Sequence, residues 1–266
     1  MGGESRAKKR AHAAILARNP NCIYCGGDVP ATTIDHVPPK IMFREKRRPK
    51  GLEFPSCETC NRGTKHADLV AAMIGRSYPS GSSAPEEMSR IFQAIKNNMP
   101  NVLLEMHTGD TRRSQIKRSL PSEALGEPLR VSGPFVSTYM QTFAFKIGIA
   151  LHTRITGEIL PRGGSVAARW FSNVDNWRGH FPDLSSLPLS IDTLRQGTFE
   201  VADQFSYQWG ATSDHSMTIS ASYFRHSFAV VAFTAVDKAK LDVPTNFPIR
   251  LCSPGELTKA IEALPA

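Results

Sequence analysis

The chain has 266 residues, 41% hydrophobic and 21% charged, a balance that excludes global disorder and provides apolar material for one large domain or two ordinary ones. No run approaches the roughly 20 uninterrupted apolar residues of a membrane span. The basic start MGGESRAKKRAHAA lacks the apolar stretch of a secretory signal, so a cytoplasmic protein is expected.

The formal net charge of +8 is uneven. Through His66 there are 13 Lys and Arg against 6 Asp and Glu, a net +7, whereas the other 200 residues carry 19 against 18. A local basic field concentrates polyanions and releases their counterions, which is how nucleic acid is held without reading its sequence.

Taken in chain order, residues 4–18 read as a short, Ala-rich basic helix that stops at Asn19-Pro20, because a residue before proline is pushed out of helical geometry. Residues 21–60 carry the Pro, Gly and β-branched residues of hairpins and loops. From Cys57 the breakers vanish, and CETCNRGTKHADLVAAMIGR reads as a helix. The Gly/Ser/Pro stretch 78–87 is the expected linker. Pro85 suits the first position of a new helix, in which Met88, Ile91, Phe92 and Ile95 recur at helical spacing. A polar basic stretch (108–119) precedes the strongly apolar run from Pro134 to His152, the expected central buried helix. Alternation of Phe199, Val201, Phe205, Tyr207 and Trp209 predicts a half-buried strand over 199–209, its aromatics in the core rather than a base-stacking platform. Further strands over 217–224 and 226–236 complete an antiparallel meander. The fold class is α+β, with one unit over residues 1–75 and a second, carrying no recognisable chemical motif, over 85–266.

Four of the five cysteines form two CxxC pairs, Cys22/Cys25 and Cys57/Cys60, while Cys252 stands alone as an ordinary small buried residue. Without an export signal, such pairs favour zinc over disulfides. Each CxxC turn places two thiolates on one side of an ion, and two turns 31 residues apart can close one tetrahedral site around a hairpin. A closed site of four cysteines has no open coordination position, so this Zn²⁺ is structural.

Between the pairs lies Ile34-Asp35-His36-Val37-Pro38-Pro39, and Asn61 follows the last cysteine. The order CxxC…DHxxP…CxxCN over about residues 19–70 resembles the zinc-containing HNH endonucleases of the ββα-metal superfamily. Asn61-Arg62-Gly63-Thr64-Lys65 is also similar to the Asn-Arg-Gly-Lys run of the HNH domain in RNA-guided CRISPR nucleases. The resemblance implies an N-terminal ββα-metal module and hydrolysis of phosphodiester bonds, in DNA above all. It implies His36 as the general base on water, and Asp35 and Asn61 as ligands of a divalent ion, Mg²⁺ or Mn²⁺. The residue types suit that chemistry: imidazole titrates near working pH, and a cation with few protein ligands keeps positions for phosphate oxygen and water.

Residues 37–56 contain no Asn of the kind that orients the base in many HNH proteins. The position one helical turn after Asn61 is Lys65, so His66 and Asp68, farther round and along the helix, are the further candidate ligands. Arg44, Lys46, Arg47, Arg48 and Lys50, with Arg62 and Lys65, are the candidate phosphate contacts. Two other readings compete. One is a non-catalytic zinc-ribbon DNA-binding protein. The other makes residues 85–266 a sensor or interaction unit that controls the nuclease, as in phage defence, and that binds a protein partner or a second copy.

Overall fold

The computed structural model describes residues 2–77, 85–107, 129–192, 194–196, 199–241 and 249–265, without the side chains of 2–8, 195, 196, 199 and 200. The expected linker up to residue 84 and the polar stretch 108–119 lie outside the described residues.

The fold is mixed helix and sheet. Helix α1 (Gly2–Arg18) ends at the expected Asn19-Pro20 stop. A one-turn 3-10 segment (Ile23–Cys25) follows and is closed by left-handed Gly26. A Cβ on Gly26 would lie 2.5 Å from the backbone nitrogen of Arg162, so only glycine lets this turn press against the later loop. Strands β1 (Thr33–His36) and β2 (Glu53–Ser56) form an antiparallel pair, with Asp35 opposite Phe54 and His36 opposite Glu53.

The helix expected from Cys57 is two helices, α2 (Glu58–Gly63) and α3 (Lys65–Ser77). The break falls at Thr64, whose hydroxyl bonds back to the Cys60 carbonyl at 3.0 Å, a local competitor of the helical ladder. Helices α4 (Pro85–Asn98) and α5 (Pro100–Met106) each open on a proline. In α4, Ile91 and Ile95 are buried but Phe92 is 47% exposed, so the apolar face is narrower than its spacing suggests.

Helix α6 (Pro134–Thr156) is the predicted central helix, buried without interruption from Tyr139 to Thr153. It lies between α3 and a six-stranded antiparallel sheet formed by β3 (Ser165–Ser172), β4 (Ser190–Ile191), β7 (Ser206–Ala211), β8 (Met217–Phe224), β9 (Phe228–Ala235) and β10 (Arg250–Cys252). The spatial order is β10-β3-β9-β8-β7-β4. Short strands β5 (Arg195–Gln196) and β6 (Phe199–Glu200) pair separately, so the predicted strand 199–209 is split and its regular part begins at Ser206. Two short helices, α7 (Asn173–Trp177) and α8 (Lys259–Glu262), flank the sheet strands in sequence. Strand β3 escapes pattern reading because most of SVAARWFS is buried, which leaves no polar–apolar alternation. A Cβ on Gly148 of α6 would meet Val166 at 2.7 Å and Ala232 at 2.9 Å, so this glycine sets how closely the helix lies on the sheet.

Most of the buried apolar residues between Cys22 and Leu257 belong to one contiguous cluster, with Phe171, Ala221 and Val231 in a smaller second one. The N-terminal segment and residues 85–266 therefore share a core across the expected boundary. Among the described residues no helix is long and apolar enough to cross a membrane.

Near the end of α6, His152 is 1% exposed, its Nδ1 is 2.7 Å from the Thr234 hydroxyl, and Thr234 in turn is 2.6 Å from the Thr218 hydroxyl. Burial, helped by the nearby His215, pushes the His152 imidazole down to about 4. The unfolded chain binds this proton near pH 6.5 and the folded chain does not, so stability is full above pH 6.5 and falls as pH drops toward 4. The expected loss at pH 4 is roughly 3 kcal/mol from this residue, measurable as a difference in urea midpoints that His152→Gln diminishes.

Candidate metal centre and active site

The 3-10 turn carries Cys22 and Cys25, and the first turn of α2 carries Cys57 and Cys60, with Cys57 as its N-cap. The four sulfurs lie within 4.8 Å of one another, with Cys25 Sγ 3.7 Å from Cys57 Sγ and 3.5 Å from Cys60 Sγ. A tetrahedral ion with bonds of about 2.3 Å holds its sulfurs about 3.8 Å apart, so the cluster fits such an ion. Its electrostatics agree. A hydrogen bond from the Cys60 thiol draws Cys22 down to about 5 despite burial. Burial and that neighbouring charge push Cys25 up to about 12, and Cys60 rises further still. The Cys22 thiolate thus makes Cys25 and Cys60 hold their protons, a conflict a central dication removes. The four cysteines can hold a metal ion such as zinc.

The cluster joins the start of α2 to the 3-10 turn, and one side chain ties α2 to β1. Asn61, directly after Cys60, donates from Nδ2 to the Thr33 hydroxyl at 3.0 Å. The amide oxygen is then the atom it would offer a cation. Thr33 and Asp35 share one face of β1 by strand alternation, which places Asn61 on the side of Asp35. A carboxylate and an amide oxygen are donor types that a hard divalent cation takes.

Asp35 is 5% exposed and already engaged. Its Oδ2 accepts from the Tyr24 hydroxyl at 2.8 Å and lies 2.9 Å from Lys146 Nζ, while its Oδ1 accepts from the His36 backbone N–H at 2.8 Å. Lys146 comes from the middle of α6, is fully buried, and donates also to Asp68 Oδ2 at 2.7 Å. Burial, partly offset by Lys146, raises the Asp68 carboxyl to about 7. Tyr24 and Lys146 had no signal in the sequence: tyrosine is unremarkable inside a CxxC turn, and Lys146 sits in an apolar run 111 residues beyond Asp35.

His36, at the end of β1, is half-buried. Burial first, then the positive charges of Arg48 and Lys40, push its imidazole down to about 4, so it is neutral at physiological pH. Its Nδ1 is buried without a hydrogen-bond partner among the described residues. His12 of α1 stands edge-on to it, with ring centroids 6.0 Å apart.

Of the further candidate ligands, Asp68 is brought to Asp35 through Lys146, whereas His66 lies edge-on to Tyr139 of α6, 6.3 Å between centroids. The basic loop is less uniform than expected. Arg48 is buried, bonded to the Leu52 carbonyl and paired with Glu53, which takes it out of a solvated phosphate track. Arg44 pairs with Asp203 and Arg47 with Glu45. Lys46, Lys50, Arg62 and Lys65 are exposed, Arg62 in a surface pair with Glu58.

The chain matches no protein-family model, no curated protein and no solved structure.

Proposed function

We propose that this protein is a divalent-metal-dependent endonuclease of the HNH type, hydrolysing phosphodiester bonds in nucleic acid, with DNA as the substrate. One arrangement carries the reading: a cluster of four cysteines joins the first turn of α2 to the Ile23–Cys25 turn, and Asn61, directly after the last of them, bonds to the strand that bears Asp35 and His36. His36, neutral at working pH, accepts a proton from the attacking water. Asp35 and Asn61 would hold Mg²⁺ or Mn²⁺, which would supply positive charge to the scissile phosphate and the leaving oxygen. A zinc ion held by Cys22, Cys25, Cys57 and Cys60 would have no open coordination position, which would leave it a structural role. Purified protein with Mg²⁺ or Mn²⁺ is expected to cleave plasmid DNA and to stop on addition of EDTA. Failure to cut single- or double-stranded DNA or RNA with either ion overturns the reading.

Phosphate contact falls to the exposed cations. Replacing Lys46, Lys50, Arg62 and Lys65 by Ala is expected to weaken DNA binding across sequences and to flatten the plot of log affinity against log salt, by about 0.9 for each phosphate no longer neutralised. Fluorescence anisotropy over a salt series measures the slope. An unchanged slope means the DNA runs elsewhere.

A further inference from the structure

Resting on the reading of Asp35 as a ligand of the catalytic ion, we infer that Lys146 competes with that ion for Asp35, so that metal loading is controlled from the central helix α6.

The Lys146 ammonium is 2.9 Å from Asp35 Oδ2 and 2.7 Å from Asp68 Oδ2, at 0% exposure. A divalent ion bound to the same Asp35 oxygen meets a full positive charge within a few ångströms, in surroundings where solvent screens little. The other Asp35 oxygen already accepts from the His36 backbone. The ion therefore binds either against the ammonium or by displacing it, and both lower its affinity. Lys146 is not there for want of an apolar alternative. Its neighbours along α6, Phe145 and Ile147, are themselves buried, and a core of this kind is commonly as stable or more so with a hydrophobic residue in place of a buried ion pair. Helix α6 lies between α3 and the six-stranded sheet, so a shift of the helix carries the ammonium toward or away from Asp35. Residues beyond the N-terminal segment thus set how readily its carboxylate accepts a metal.

Mn²⁺ binding to the full-length, zinc-loaded protein tests this directly, read from the electron paramagnetic resonance signal of the free ion. Lys146→Met alone leaves two buried carboxylates without their cation and can fail to fold. The double variant Lys146→Met/Asp68→Asn removes one positive and one negative charge together, and keeps the cluster's net charge. Its Mn²⁺ affinity is expected to rise roughly tenfold or more, and the gain to vanish when Asp35→Asn is added. Asp68→Asn alone, which leaves Lys146 to Asp35, is expected to weaken Mn²⁺ binding. Equal or weaker binding by the double variant, with Asp35-dependent binding intact in the wild type, overturns the competition and leaves the nuclease reading standing. Absence of Asp35-dependent Mn²⁺ binding in both proteins overturns the two together.

Discussion

Cys57→Ala is expected to strip the zinc and to unfold the N-terminal quarter of the chain, rather than merely to slow a reaction. Cys57 contributes both a ligand and the N-cap of α2, where its sulfur accepts from the Cys60 N–H at 3.4 Å. Structural zinc held by cysteines supplies about 10–16 kcal/mol of apparent binding free energy, as much as the whole stability of a typical domain, about 5–15 kcal/mol. The consequence spreads, because Cys22, Ile23 and Tyr24 are fully buried in the core that also contains α6. Loss of the staple withdraws the hydroxyl of Tyr24 from Asp35 and uncovers one side of that helix. Near-ultraviolet circular dichroism and elemental analysis check this. A well-folded wild-type protein without bound metal contradicts it.

His36→Ala is expected to lower the cleavage rate about 10²–10⁴-fold, the usual worth of a general base, with folding and zinc content nearly unchanged. The ring is only half-buried and its Nδ1 has no hydrogen-bond partner among the described residues, so little structure depends on it. Asn61→Ala is expected to differ. It removes the hydrogen bond to Thr33 as well as a ligand, so divalent-ion binding weakens along with the rate, and excess Mn²⁺ restores part of it.

What was legible in the sequence was whatever has a local signature. The two CxxC pairs do converge. The run from Pro134 reads as a buried helix because of its apolar length, and strand β8 falls on the expected 217–224. What was hidden depends on distant partners. Asp35, read as an open ligand, is held by Tyr24 and by Lys146, and a lysine amid phenylalanine and isoleucine gives no hint of the carboxylates that await it. Arg48 looks like one more surface cation until the fold sets Glu53 and the Leu52 carbonyl around it. The shared core was equally invisible, since a Gly/Ser/Pro stretch marks a break in regular structure and says nothing of what packs across it.

The proposed reaction depends above all on His36. Single-turnover cleavage of a labelled DNA duplex in saturating Mn²⁺, by zinc-replete wild type beside His36→Ala, tests it. Metal-dependent cutting by the wild type is expected, with a variant at least about 10²-fold slower that still binds Mn²⁺ and DNA. A variant that cuts at the wild-type rate overturns His36 as the base, and one that loses the divalent ion makes His36 a ligand and leaves the base elsewhere.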